Sequence, residues 1–239
     1  MISRVLGFAR DTAYAIVFGP GTLLDAWFIA FRIPNLGRRL FGEGAASASV
    51  IPVYSEQLNN KPQQAGRLAR TVISVVFLAL MGLVLIGEII TLSLYLFWGD
   101  NVESKLIFAL TAVTLPYMVL ICLVAIVAGL LNVHKHFFSP ALAPIIMNLC
   151  IIAGAVGAAL IFPVVGTGEP GQKIQNFANP AVKQIFIVAV AVIAAGLFEF
   201  AVQLPPFFKK GLSLKPCWDI SSEPFRRILR LMAPMIIGL

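Results

Sequence analysis

Eight ionisable side chains fall within the first 43 residues, a stretch otherwise dominated by Phe, Leu, Ile, Ala and Val. They are Arg4, Arg10, Asp11, Asp25, Arg32, Arg38, Arg39 and Glu43. The stretch reads as two helices in a membrane, where each ionisable group costs about 3 kcal/mol or more. Such groups persist where they line a cavity, meet a partner or hold something charged. Five of the eight are arginines, so the guest to expect is an anion. A planar guanidinium holds phosphate or carboxylate through paired hydrogen bonds and stays charged when desolvated.

Spacing sorts these residues. Ser3, Gly7, Arg10 and Tyr14 form one helical stripe, and Arg4 and Asp11, seven apart, lie on the neighbouring one. Ser3 and Gly7 also make a small-xxx-small contact surface. Arg10 lies about nine residues in, roughly 14 Å along the helix and near the bilayer centre. It is a ligand or gate residue, or it is neutralised by Asp11 or Asp25 as a structural pair. Arg4 either joins it or reaches back to the headgroups. Arg38 and Arg39 point about 100° apart, so one faces a guest while the other faces headgroups. Glu43, four residues after Arg39, makes an ion pair worth a few tenths of a kcal/mol, roughly, or gates the site. Arg32 ranks below these as a ligand. Glu88 and Glu199 are lone acids in apolar runs, each either a proton or cation relay or a group held neutral or near an interface.

Other chemistry is excluded. His134 and His136 flank Lys135 and do not share a helix face, so no metal site is expected. Cys122, Cys150 and Cys217 lack paired or metal-type spacing and read as two small core residues and one loop thiol. No D-x-D, H-E-x-x-H, G-x-S-x-G or phosphate-loop pattern occurs, so neither a catalytic constellation nor a cofactor is expected.

The elements that position these residues follow from composition. Of 239 residues, 59% are hydrophobic and only 12% charged, about half the charge of a soluble domain. Apolar runs long enough to cross a bilayer recur, and the strand alternation of a membrane barrel does not. The expected class is all-α: a polytopic helical membrane protein. Expected helices are 1–18, 23–50, 71–97, 106–133, 140–162 and 181–204, forming a six-helix N-terminal transmembrane lobe, 1–204. A basic cytoplasmic loop, 205–224, and the start of a truncated seventh helix, 225–239, follow. Gly19-Pro20-Gly21 ends the first helix, and Asp25 caps the second or sits in its first turn. Pro34 predicts a kink or break over Ile33 to Gly37. Tyr54 to Arg70 reads as a polar cytoplasmic segment, and Pro205-Pro206 as the end of the sixth helix. The clipped first helix and short last one suggest truncation at both ends, and no cleavable signal is visible.

The net charge of +7 sets topology and does not indicate nucleic acid. Loops 2–3, 4–5 and 6–7 carry Lys61, Arg67, Arg70, Lys135, Lys209, Lys210, Lys215, Arg226, Arg227 and Arg230. The other loops carry Lys105, Lys173 and Lys183. Ten against three places the N-terminus on the cytoplasmic side.

Residues 3–11, SRVLGFARD, with Asp25-Ala26-Trp27-Phe28 and the run Pro34-Asn35-Leu36-Gly37-Arg38-Arg39-Leu40-Phe41-Gly42-Glu43-Gly44-Ala45, resemble the start of the MurJ (MviN) family. Pro52, Ala143-Pro144 with Asn148, and Gln203-Leu204-Pro205 with Lys209-Lys210-Gly211 fit the same pattern. The resemblance implies a lipid II flippase of the multidrug/oligosaccharidyl-lipid/polysaccharide exporter superfamily. Such proteins move an undecaprenyl-pyrophosphate-linked peptidoglycan precursor across the bacterial cytoplasmic membrane by alternating access. They take the pyrophosphate and sugar headgroup in a cationic cavity and leave the lipid tail in a groove. Ser3, Arg4, Arg10, Asp25, Arg38 and Arg39 match family positions of that cavity or its gate. The family protein has a second lobe, so the resemblance makes this chain an N-terminal fragment whose partners are the lipid-linked precursor, membrane lipids and the missing C-terminal lobe. Rival readings are a drug/cation antiporter, which calls for acids rather than arginines, a polyprenyl-phosphate enzyme, which calls for metal-binding acids, and a non-transporting scaffold in envelope assembly.

Overall fold

Glycine, proline and asparagine punctuate the chain and set where its helices begin and end. The computed structural model describes residues 2–39, 45–99, 101–163 and 177–237. Among them are eight α-helices and no strand: α1 (Ile2–Phe18), α2 (Thr22–Gly37), α3 (Ala45–Asn60), α4 (Pro62–Phe97), α5 (Val102–Val133), α6 (Phe138–Ile161), α7 (Pro180–Lys209) and α8 (Glu223–Ile237). Glu43, Asp100 and Lys173 lie outside the described residues.

The caps have local causes. Gly19 takes a φ of +64°, open to glycine without a Cβ clash, and its N–H returns to the Ala15 carbonyl. The Gly21 carbonyl accepts from the N–H groups of Leu24 and Asp25, so Asp25 sits in the first turn of α2 rather than at its cap. Asn101 Oδ1 accepts from the Ser104 N–H ahead of α5, and Asn179 Oδ1 from the Ala181 N–H ahead of α7. The end of α5 closes with Lys135 at φ 56° and the His136 N–H on the Leu131 carbonyl. Gly211 closes α7 in the same way, the Leu212 N–H reaching the Phe207 carbonyl.

Helix extends further than the sequence patterns suggest. The segment expected as polar and irregular, Tyr54 to Arg70, is helical on both sides of a joint at Lys61. Its residues keep helix propensity, and Pro62 occupies a first-turn position where its missing N–H costs nothing. The second expected helix, 23–50, is instead two, α2 and α3, and this makes eight helices where seven were expected. Pro34 does not end α2, which runs to Gly37 and passes into a π-helical turn at Arg38 and Arg39. Pro205 and Pro206 lie inside α7, which continues to Lys209. Each proline removes one donor but keeps a helical φ, so near a helix end the backbone carries on.

Four helices are long and apolar enough to cross a membrane: α4, α5, α6 and α7. In its most apolar window α5 is 72% buried, against 22% for α4 and for α6. So α5 is a core helix, while α4 and α6 present apolar faces outward, as lipid-facing helices do. At 17 and 16 residues, α1 and α2 reach only about 25 Å.

The chain divides into two compact units. Unit 1 comprises Met1–Pro34, Val84–Tyr117 and Ala143–Phe198. Its core carries an aromatic chain: Tyr14 edge-on to Trp27, Trp27 stacked on Phe31 at 5.2 Å, and Phe31 against Tyr117 at 5.9 Å. Beside it α6 and α7 meet through small residues, with a Cβ at Gly154 landing 2.5 Å from that of Ala191. Unit 2 comprises Asn35–Leu83, Met118–Leu142 and Glu199–Leu239. Within it α3 packs on α8, and Phe225 and Ile228 supply the buried face of α8. Gly37 lies against Met118, and Gly129 against Ile51, each a place where the missing side chain lets helices approach.

Candidate functional site

In unit 1 the stripe on α1 meets α6 at a polar node. Arg10 is half-buried, and its Nε and Nη2 both donate to Asp11 Oδ1, at 3.0 and 2.8 Å. Its Nη1 donates to Asn148 Oδ1 at 3.2 Å. Asn148 is buried, and its Nδ2 donates to the Pro144 carbonyl at 2.8 Å and to the Ser3 carbonyl at 3.4 Å. One amide on α6 thus ties the first turn of α1 to the guanidinium two turns on.

The local sequence explains this. Ser3 and Arg10 are seven apart and share a face, and Asn148 lies four residues after Pro144, where its amide caps that carbonyl. Tyr14, one turn beyond Arg10, is buried against Trp27 and Phe28, which fixes the rotation of α1. The Arg10 and Asp11 side chains are 25% and 60% exposed. A pair this accessible contributes little to stability. Its content is geometric: the guanidinium is held in one plane while its carboxylate partner remains open to water.

A guanidinium carries five N–H donors, and the Asp11 and Asn148 contacts use three of them. The Asp11 contacts are both to a single oxygen, so a dianionic group arriving at the exposed side can displace it and take two parallel hydrogen bonds. The node therefore has the chemistry of an anion site with a resident, exchangeable carboxylate.

The other expected ligands distribute as follows. Arg4 and Asp25 belong to unit 1, are exposed, and lie outside the node. Ser3 takes part through its backbone carbonyl. Arg32 is exposed. Arg38, half-buried, and Arg39, exposed, belong to unit 2. The field of Arg38 reaches both Glu199 of α7 and Cys122 of α5, and the Cys122 thiol donates to the Gly37 carbonyl at 3.6 Å.

Asn148 is the site residue that sequence reasoning passed over, although it stands out as a carboxamide in an otherwise apolar helix. No group of three or more metal-ligating side chains occurs among the described residues. At the end of α5, Tyr54 Oη and His134 Nε2 lie 2.8 Å apart. Burial first, and the Lys210 charge second, pull the His134 pKa below its ordinary value. A neutral imidazole accepting the phenol O–H fits both observations.

Comparison with known proteins places these features. A family model described as Lipid II flippase MurJ matches residues 14–239. The chain is 32% identical over 244 residues to the lipid II flippase MurJ of Burkholderia cenocepacia, covering 98% of this chain and 44% of the relative. It is 31% identical to the probable lipid II flippase MurJ of Buchnera aphidicola, covering 100% of this chain and 44% of that one. Among solved structures it superposes on a lipid II flippase MurJ in an inward closed conformation with a TM-score of 0.73 and 27% identity, over 98% of this chain and 45% of that one. The chain thus spans less than half the length of the relatives it matches.

Proposed function

We propose a carrier role for this chain, which belongs to the lipid II flippase MurJ family: it forms the N-terminal lobe of a flippase that moves a lipid-linked cell-wall precursor across the cytoplasmic membrane. The observation that carries this reading is the Arg10–Asp11–Asn148 node, an anion site held on two helices of a membrane-spanning bundle. The precursor presents a pyrophosphate, and a guanidinium is the side chain suited to grip it.

In this reading Arg10 binds a phosphate, Asn148 orients Arg10 and Asp11 is the gate: it occupies Arg10 when the site is empty and yields when the pyrophosphate arrives. Ser3 and Arg4 flank the entry on α1, Asp25 lies at the other end of the same unit's first helix pair, and Arg38 and Arg39 serve a second phosphate or the gate, with Glu43. Alternating access requires a second lobe, and membrane lipid accommodates the polyprenyl tail. No step makes or breaks a covalent bond, so no catalytic residue or cofactor is assigned. The excess of basic residues in alternate loops supports a multi-pass topology with the N-terminus in the cytoplasm. The abundance of arginine over acid in the first two helices argues against a cation antiporter.

The test is genetic. In a strain depleted of its own flippase, the gene as its host carries it restores growth. Arg10→Ala in that gene abolishes rescue while the protein still inserts, and Arg10→Lys rescues poorly because an ammonium cannot make paired bonds. Growth like wild type from Arg10→Ala overturns the assignment.

A further inference from the structure

Two polar side chains on α7 have no part in the carrier reading. Glu199 and Gln203 are 1% and 0% exposed. They lie four residues apart, on one face of the helix, in the part of α7 that belongs to unit 2. Their neighbours along the chain, Phe198, Phe200, Val202 and Leu204, are apolar. Glu199 Oε2 and both amide atoms of Gln203 are sealed off with no hydrogen-bond partner. Buried polar atoms are satisfied in the great majority of proteins, and exceptions mark strain, a missing water or ion, or chemistry.

The surroundings narrow the choice. Arg38, at the π-helical turn that ends α2 in the same unit, is the charged group whose field reaches Glu199. Of the titratable groups on the packed elements, Cys122 of α5 shares that field, and its thiol is committed to the Gly37 carbonyl. A metal cation is disfavoured beside a guanidinium, and atoms with no accessible area admit no sugar or headgroup. What reaches a sealed carboxyl and leaves again is a proton. A proton on Glu199 makes the carboxyl a donor that the Gln203 amide oxygen can accept on a small side-chain rotation.

We propose that Glu199 is a proton-exchange site that governs Arg38. With the proton on, Glu199 is neutral and the Arg38 charge is free to attract an anion. When the carboxyl O–H bond breaks and the proton passes to water, the carboxylate competes for Arg38 and the anion is released. By linkage the converse holds: an anion arriving at Arg38 draws a proton onto Glu199. The inference rests on Arg38 being an anion ligand, as in the carrier reading above.

The test uses the full chain in nanodiscs of phosphatidylcholine, with undecaprenyl pyrophosphate as the probe. The wild-type chain binds the probe about tenfold more weakly after pH is raised far enough to ionise Glu199. Glu199→Gln, neutral at every pH, keeps the tight binding and loses this dependence. In parallel, infrared titration follows the protonated-carboxyl stretch, which Glu199→Gln removes. If Glu199→Gln fails to insert, proton uptake on adding the probe to the wild-type chain gives the same answer. An unchanged pH profile in Glu199→Gln, or no proton uptake, overturns the inference. Failure of the wild-type chain to bind the probe at any pH overturns the carrier reading instead, and the infrared titration then decides the protonation of Glu199 alone.

Discussion

At the scale of single residues, the chain shows how one amide can decide what an arginine does. Arg10 next to Asp11 is, by itself, an ordinary exposed pair. Asn148 reaches it from α6 and ties it to the start of α1. Arg10 and Asp11 were legible from type and spacing alone, because adjacent charges in an apolar helix demand an explanation. The partnership with Asn148 was not, because the two residues are 138 positions apart and only the packing of α6 on α1 brings them together. A second residue-scale consequence concerns His134. Its pKa is depressed, so the neutral form is favoured in the folded chain and the unfolded chain binds the extra proton. Stability from this group is complete above its ordinary value of 6.5 and is lost as pH falls from there through the lowered folded value. The thermal unfolding midpoint in detergent should fall over that acid range, and His134→Gln should flatten the fall. An identical acid profile in the variant contradicts the assignment.

At the scale of elements, close helix contact depends on what is missing. A Cβ at Gly37 meets the Met118 side chain, a flexible thioether that can turn away. A Cβ at Gly154 meets the Ala191 Cβ, which has nowhere to go. Gly154→Ala should therefore push α6 from α7 and destabilise the chain by about 1–3 kcal/mol, a range set by overpacking elsewhere. Gly37→Ala should cost less. Thermal unfolding of the two variants side by side checks the order, and equal stability of Gly154→Ala and wild type contradicts the packing. The apolar helices were legible because their runs exceed bilayer length. The helices α3 and the start of α4 were not, because Glu56, Gln57, Asn59, Asn60, Lys61, Gln63 and Gln64 carry no apolar period strong enough to separate helix from loop. Prolines misled for a related reason: Pro34 and Pro205-Pro206 mark lost donors, but whether the helix stops depends on neighbours that propensity does not see.

At the scale of the molecule, the basic residues of alternate loops set an orientation that can be measured. After replacement of Cys122, Cys150 and Cys217, a cysteine at Lys135 should react with a membrane-impermeant maleimide only in permeabilised cells. One at Asn101 should react in intact cells. The reverse pattern contradicts a cytoplasmic N-terminus. The membrane class was legible from composition, and the family from the arginine-bearing motif of the first 45 residues. Unit boundaries were not, because each unit draws on three separate stretches of chain and α4, α5 and α7 each contribute to both.

The central claim is that Arg10 grips a pyrophosphate at the node it forms with Asp11 and Asn148. The direct measurement is native mass spectrometry of undecaprenyl pyrophosphate bound to the chain, for wild type and Arg10→Ala at one pH and lipid composition. The account predicts binding by wild type and a loss of about 10- to 100-fold in Arg10→Ala, the scale of one charge-assisted contact. Equal affinity in the two proteins would contradict it.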